Sequence, residues 1–183
     1  SGLDPDRIVS DPTMAVAFCV ENIVDKLSHN GQKVATMLAV MSKPCSAAVI
    51  RDVTGLTALE VESALSELSR FSLIALDQST KYERAYNLRP LVKVYITRVL
   101  GVSDELSSQY LLRSRQIEGM LQSERGSRAS HRYDRKSYVV RSKTEAIVAS
   151  NLRKAYSRAR QRHNEEADRI IEECKIIAPD YFE

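Results

Sequence analysis

Apolar positions recur at helical spacing along most of the chain, and the spacing changes character only once. Val16, Val20, Ile23, Val24 and Leu27 predict a lead-in helix after the Asp11-Pro12 start signal, with Asn30-Gly31 as its stop. Val34, Met37, Leu38 and Met41 share the face of a next helix, and Pro44-Cys45-Ser46 reads as a break before a short helix through Val49, Ile50 and Val53. After the turn Thr54-Gly55-Leu56-Thr57, a third helix points Val61, Ala64, Leu65, Leu68 and Phe71 inward. The period then becomes that of a strand at Leu73-Ile74-Ala75-Leu76, with a polar tip from Asp77 to Arg84 and a return run Ala85-Tyr86-Asn87-Leu88. Pro90 opens a further helix carrying Leu91, Val94, Tyr95 and Val99, and Gly101 ends it.

Three helices with a tight Gly-containing turn between the second and third, then a two-stranded hairpin and another helix, follow the order of a winged helix-turn-helix. Beyond it, Asp104 is placed to cap a connecting helix with Leu106, Tyr110, Leu111, Ile117 and Leu121 inward. That pattern dissolves at Ser123-Glu124-Arg125-Gly126-Ser127-Arg128, where a mobile loop is expected. Helical spacing returns near Ser142 through Ala146, Ile147, Ser150, Leu152, Ala155 and Ala159. A final helix holds Ala167, Ile170, Ile171 and Cys174 and stops at Pro179. The expected fold is thus mainly α. Residues 1–30 form a lead-in helix, 31–101 a winged helix with a small β-hairpin wing, 102–122 a connecting helix, 123–141 an Arg-rich loop and 142–183 a helical hairpin.

The Ala, large apolar, small and Pro positions of Glu166-Ala167-Asp168-Arg169-Ile170-Ile171-Glu172-Glu173-Cys174-Lys175-Ile176-Ile177-Ala178-Pro179 resemble the second half of a tetratricopeptide repeat. Ala155 fits the small-residue position of the preceding helix, whereas Arg158 stands where an aromatic is usual. One such unit cannot bury its apolar face alone, so either the basic helical region before it or further repeats must cover it. The segment from Glu21 to Leu100 is similar to the winged-helix region of STAND-class signal-transduction ATPases. The likeness lies in Val24-Asp25-Lys26-Leu27-Ser28, Ala64-Leu65-Ser66-Glu67-Leu68 before Ser72-Leu73-Ile74, and Tyr86-Asn87-Leu88-Arg89-Pro90-Leu91-Val92. That resemblance implies a winged helix packed on a nucleotide-binding domain, with helical repeats sensing a ligand or partner. It also implies a residue at Arg89 that senses a phosphate of bound ADP. Family members commonly carry His there; an Arg before the helix start at Pro90 is chemically suited to an anion.

The 183 residues are 43% hydrophobic and 28% charged, which is ordinary globular material. The start at Ser1-Gly2 and the stop at Glu183 directly after a helical pattern suggest a piece of a longer protein, with any ADP- or ATP-binding domain outside it. No apolar run approaches the roughly 18 residues of a membrane span. Cys19, Cys45 and Cys174 have no zinc-type spacing and read as reduced core residues in a cytoplasmic setting. There is no Gly-x-x-x-x-Gly-Lys-Ser/Thr loop, and His29, His131 and His163 lack partners at catalytic or ligand spacing, so neither an enzyme nor a metal or bound cofactor is expected in this chain.

The net charge of +3 is unevenly spread. Arg113 to Arg162 hold fourteen Lys/Arg against four Asp/Glu, while the stretches before and after are net acidic. The third helix would offer Glu60, Glu62, Ser63, Glu67 and Arg70 outward, a poor match to phosphate. Lys81 and Arg84 in the wing, with Lys33 and Lys43 nearby, keep DNA binding open as the alternative function. Arg125, Arg128, Arg132, Arg135, Lys136, Arg141 and Lys143, with Tyr133 and Tyr138 among them, suit nucleic acid, an acidic protein surface or plain hydration.

Overall fold

The computed structural model describes residues 20–77, 84–128, 140, 142–179 and 182. Residues 20–24 are helical and lead through a turn to α1 (His29–Val40). The chain continues through β1 (Cys45–Ser46), α2 (Ala47–Thr54), α3 (Ala58–Arg70), β2 (Ile74–Asp77) and β3 (Ala85–Leu88). Then come α4 (Pro90–Tyr95), a π-helical segment (Ile96–Gly101), α5 (Asp104–Arg128), α6 (Lys143–Arg160) and α7 (Asn164–Ile177). The molecule is mostly helical with one small antiparallel sheet.

Local chemistry starts and stops these helices. Ser28 caps α1, its hydroxyl accepting from Gly31 N–H at 3.1 Å. Thr57 and Glu60 form a reciprocal capping box on α3, satisfying two of the donors a helix start leaves open. Ser142 accepts from Glu145 N–H at 3.1 Å to start α6. Gly55, at φ +70, ends α2 in the left-handed conformation that costs glycine least.

Several expected boundaries move. Asn30-Gly31 does not stop a helix; both lie in the first turn of α1, because Ser28 supplies the cap. The Pro44-Cys45-Ser46 break is strand β1, in register with β3 at Cys45↔Tyr86 and Ser46↔Ala85. The cap of α5 is Ser103, whose hydroxyl accepts from Leu106 N–H, not Asp104. That helix continues through 123–128, where an irregular stretch was expected; Gly126 weakens it but no proline breaks it. The rest of the Arg-rich stretch, 129–139 and 141, lies outside the described residues. On α4 the inward side chains are Val92 and Tyr95, followed by Ile96 of the π-helical segment, while Leu91 and Val94 face out, and so does Val99 beyond it. The wide π-turn after Tyr95 carries Val99 away from the face that 3.6-residue spacing assigns it. Leu111 and Leu152 are likewise exposed, not inward.

β3 is the central strand, in the order β1-β3-β2. It pairs with β2 at Ile74↔Leu88 and Leu76↔Tyr86. One hydrophobic core joins Val34, Leu38, Ile50 and Leu68 from the first three helices to Ile117 of α5, Ile147 and Val148 of α6, and Ile177. A smaller cluster of Leu121, Val140 and Ala146 closes the start of α6. The hairpin α6–α7 packs through Ala155, Ala167 and Cys174, all buried, so small side chains sit where its two helices approach most closely. Arg158, where the repeat pattern has an aromatic, instead holds Glu166 across the hairpin at 3.2 Å.

Candidate functional site

A groove with polar and apolar walls lies between α3 and the C-terminal end of α7, about 480 Å³ in volume. Glu62, Leu65 and Ser66 of α3 form one wall, Ile176 and Pro179 the other, with Arg84 and Tyr86 of the wing at one end. α7 packs beside α3 here, while Ser63 and Arg70 of α3, outside the groove, stay exposed.

Two contacts hold that arrangement, and a third ties α2 to α5. Arg51 of α2 pairs with Glu173 of α7, with side chains only 19% and 24% exposed. The hydroxyls of Ser46 and Thr144 are hydrogen-bonded at 2.9 Å inside the protein. On the opposite side of α2, Asp52 meets Arg113 of α5 at 2.9 Å. Neighbouring residues of one short helix thus tie it to two different parts of the chain. Cys174 is fully buried beside this junction, and burial pushes its thiol pKa up while Asn151 and Arg51 act the other way.

The carboxylates of α3 divide by role. Glu60 is bound to its own cap, accepting from Thr57 N–H at 2.8 Å and from the Thr57 hydroxyl at 2.8 Å. Those bonds, the backbone one foremost, hold its carboxyl below the ordinary carboxylate value. Glu67 reaches back to the start of α1, accepting from Ser28 N–H at 3.0 Å and the Ser28 hydroxyl at 2.6 Å. Gly31 makes room for it: a Cβ there would lie 2.4 Å from Glu67 Oε2. Glu62 alone of the three faces the groove.

Of the residues singled out by sequence, Arg84 is exposed at the start of β3 and lines the groove. Arg89 is exposed at the N-cap position of α4, without a side-chain capping bond. The two stand at opposite ends of β3, about 16 Å apart at roughly 3.3 Å per residue, so they do not form one site. Arg128 is the last residue of α5. Lys81, Arg132, Arg135 and Lys136 lie outside the described residues, as do Tyr133 and Tyr138. His29 and His163 are exposed. Among the described residues no group of three or more His, Cys, Asp or Glu could hold a metal ion, and no helix is long and apolar enough to cross a membrane.

Sequence spacing did not reveal Arg51–Glu173, Ser46–Thr144 or Ser28–Glu67, whose partners are 122, 98 and 39 residues apart. No family model, curated protein or solved structure matches the chain.

Proposed function

We propose that this chain is a non-catalytic regulatory and protein-interaction module: a winged helix-turn-helix followed by a tetratricopeptide-like hairpin, belonging to a STAND-type signal-transducing ATPase. The observation that carries the reading is the packing of α7 beside α3 along Glu62, Leu65 and Ser66. A duplex reader must slide its third helix into a major groove about 12 Å wide, and a duplex on the Glu62–Ser66 side of α3 would have to accommodate Ile176 and Pro179, which line the same groove. The element order of α1, β1, α2, α3 and a β2–β3 wing, with β1 beside β3, supports the winged-helix part. The small-residue seam of α6–α7 supports the hairpin part. In this reading the winged helix meets a nucleotide-binding domain, Arg89 stands ready for a phosphate of ADP or ATP held there, and the hairpin relays the state of a sensed partner.

The test is anisotropy of a mixed-sequence DNA duplex titrated with the chain at about 50 and 200 mM salt, run beside an ATP-hydrolysis assay. The reading expects no hydrolysis and no duplex binding that survives the higher salt, since contacts to phosphate alone weaken steeply with salt. Salt-resistant duplex binding lost on Arg84→Ala would replace it with the DNA-binding alternative, and robust hydrolysis would refute its non-catalytic part.

A further inference from the structure

The outward half of α6 carries more cationic charge than the pairing of Arg158 with Glu166 and the bond from Arg153 to the Ala149 carbonyl use. From Leu152 to His163 the sequence has five Arg/Lys and no Asp or Glu. Arg153, Tyr156, Ser157 and Arg160 recur at i, i+3, i+4 and i+7, which places them on one helix face, and all four are exposed, Tyr156 at 68%. Lys154 flanks the face on one side and Leu152, also exposed, on the other. The Arg160 guanidinium lies over the Tyr156 ring, 6.0 Å from its centroid. Arg162 continues the cationic line beyond the helix end, at φ +65.

A solvated basic helix requires no exposed aromatic among its cations. A large ring left in water, beside guanidinium groups and with no acid in the run, is the combination that holds single-stranded nucleic acid: cations for the phosphates, the ring for a base. We propose that this face of α6 binds single-stranded nucleic acid, with Tyr156 stacking on a base and Arg160 and Arg162 meeting phosphates. From Arg153 to Arg160 the helix rises about 10 Å at roughly 1.5 Å per residue, the span of about three nucleotides at a stacked rise of roughly 3.4 Å. The surface lies apart from the α3–α7 groove, so it goes beyond the module proposed above and does not depend on it.

The probe is a labelled single-stranded deoxythymidine oligomer of about twelve nucleotides, titrated with the full chain in an anisotropy assay at about 50 mM salt. Loss of a base stack predicts weakening of about five-fold or more in Tyr156→Ala, while Tyr156→Phe, which keeps the ring, stays within about two-fold. Arg160→Glu lowers affinity further. Arg162→Gly removes a cation at a positive-φ position where glycine is the least strained residue, so it weakens binding without lowering the melting temperature, separating loss of contact from loss of fold. The proposal is overturned by absence of binding at micromolar protein, or by binding that Tyr156→Ala leaves intact. Displacement of the oligomer by poly-glutamate at equal charge concentration also overturns it, since the face would then serve an acidic protein partner. Duplex binding through Arg84 is read in the separate duplex assay, so the two proposals fail independently.

Discussion

Replacing Glu173 by Ala removes one end of the ion pair that ties α7 to α2, and the cost follows from what is left behind. Arg51 is about four-fifths covered, and its Nε already has no hydrogen-bond partner. Two unit charges about 4 Å apart attract by about 4 kcal/mol at an effective dielectric of about 20, and desolvating both groups cancels much of that. The pair falls between an exposed one, worth about 0 to 1 kcal/mol, and a fully buried one, whose breakage costs about 3 to 5 kcal/mol. We expect Glu173→Ala to cost about 2 kcal/mol, a fall in melting temperature of about 4 to 8 °C for a chain of this size. Arg51→Met should cost less, because the carboxylate it strands is the more exposed partner. The decisive measurement is a double-mutant cycle by thermal and urea unfolding, in which the coupling should be about 1 to 2 kcal/mol. Single costs that add to within about 0.5 kcal/mol would show that the pair does not hold the hairpin beside α3.

Two further outcomes test the helix starts. Gly31→Ala should push Glu67 off both Ser28 donors, a loss of about 1 to 2 kcal/mol set against about 1 kcal/mol of helix propensity. In a Glu67→Ala background the same change should stabilise by up to about 1 kcal/mol, and an effect equal in both backgrounds refutes the packing argument. Because the folded Glu60 carboxyl is held below its ordinary value near 4.5, its contribution is present above that value and is lost as pH falls through the folded pKa. The melting-temperature gap between wild type and Glu60→Gln should therefore be wide near pH 7 and close toward pH 3; a gap independent of pH means the charge is not what the cap holds.

The helices were legible where apolar spacing and a capping residue agree, as at Thr57 through Leu68 and at Ser142 through Ala155. Errors came where one backbone signal was given too much weight. Asn30-Gly31 reads as a stop, yet Ser28 supplies the cap and Gly31 serves an approach from Glu67, a residue on another helix. The helical stretch at 123–128 was missed because Ser, Gly and Arg have weak preferences individually, while a helix already running adds a backbone bond for each residue fixed. The candidate site was legible only in part. Composition located the positive charge between Arg113 and Arg162, but its exposed part on α6 becomes visible only when the burial of Ala155 fixes which side faces α7. The acidity of α3, read as a repulsive surface, is largely internal bonding by Glu60 and Glu67.

The two surfaces differ in what a ligand on each could do. The α3–α7 groove exists only while Arg51–Glu173 and Ser46–Thr144 hold the hairpin in place, because its walls come from both sides of that contact. A ligand that fills the groove binds the docked state alone and stabilises it by its own binding free energy, whereas a partner that takes the α3 face must first displace α7 and its affinity falls by that cost. The basic face of α6 lies on one helix and looks outward, so a strand bound there makes the same contacts whether or not α7 stays on α3. Such a ligand has no differential affinity and cannot move the hairpin. On the proposed reading, regulation would therefore belong to whatever competes for or fills the groove, and binding on α6 would localise the molecule without switching it.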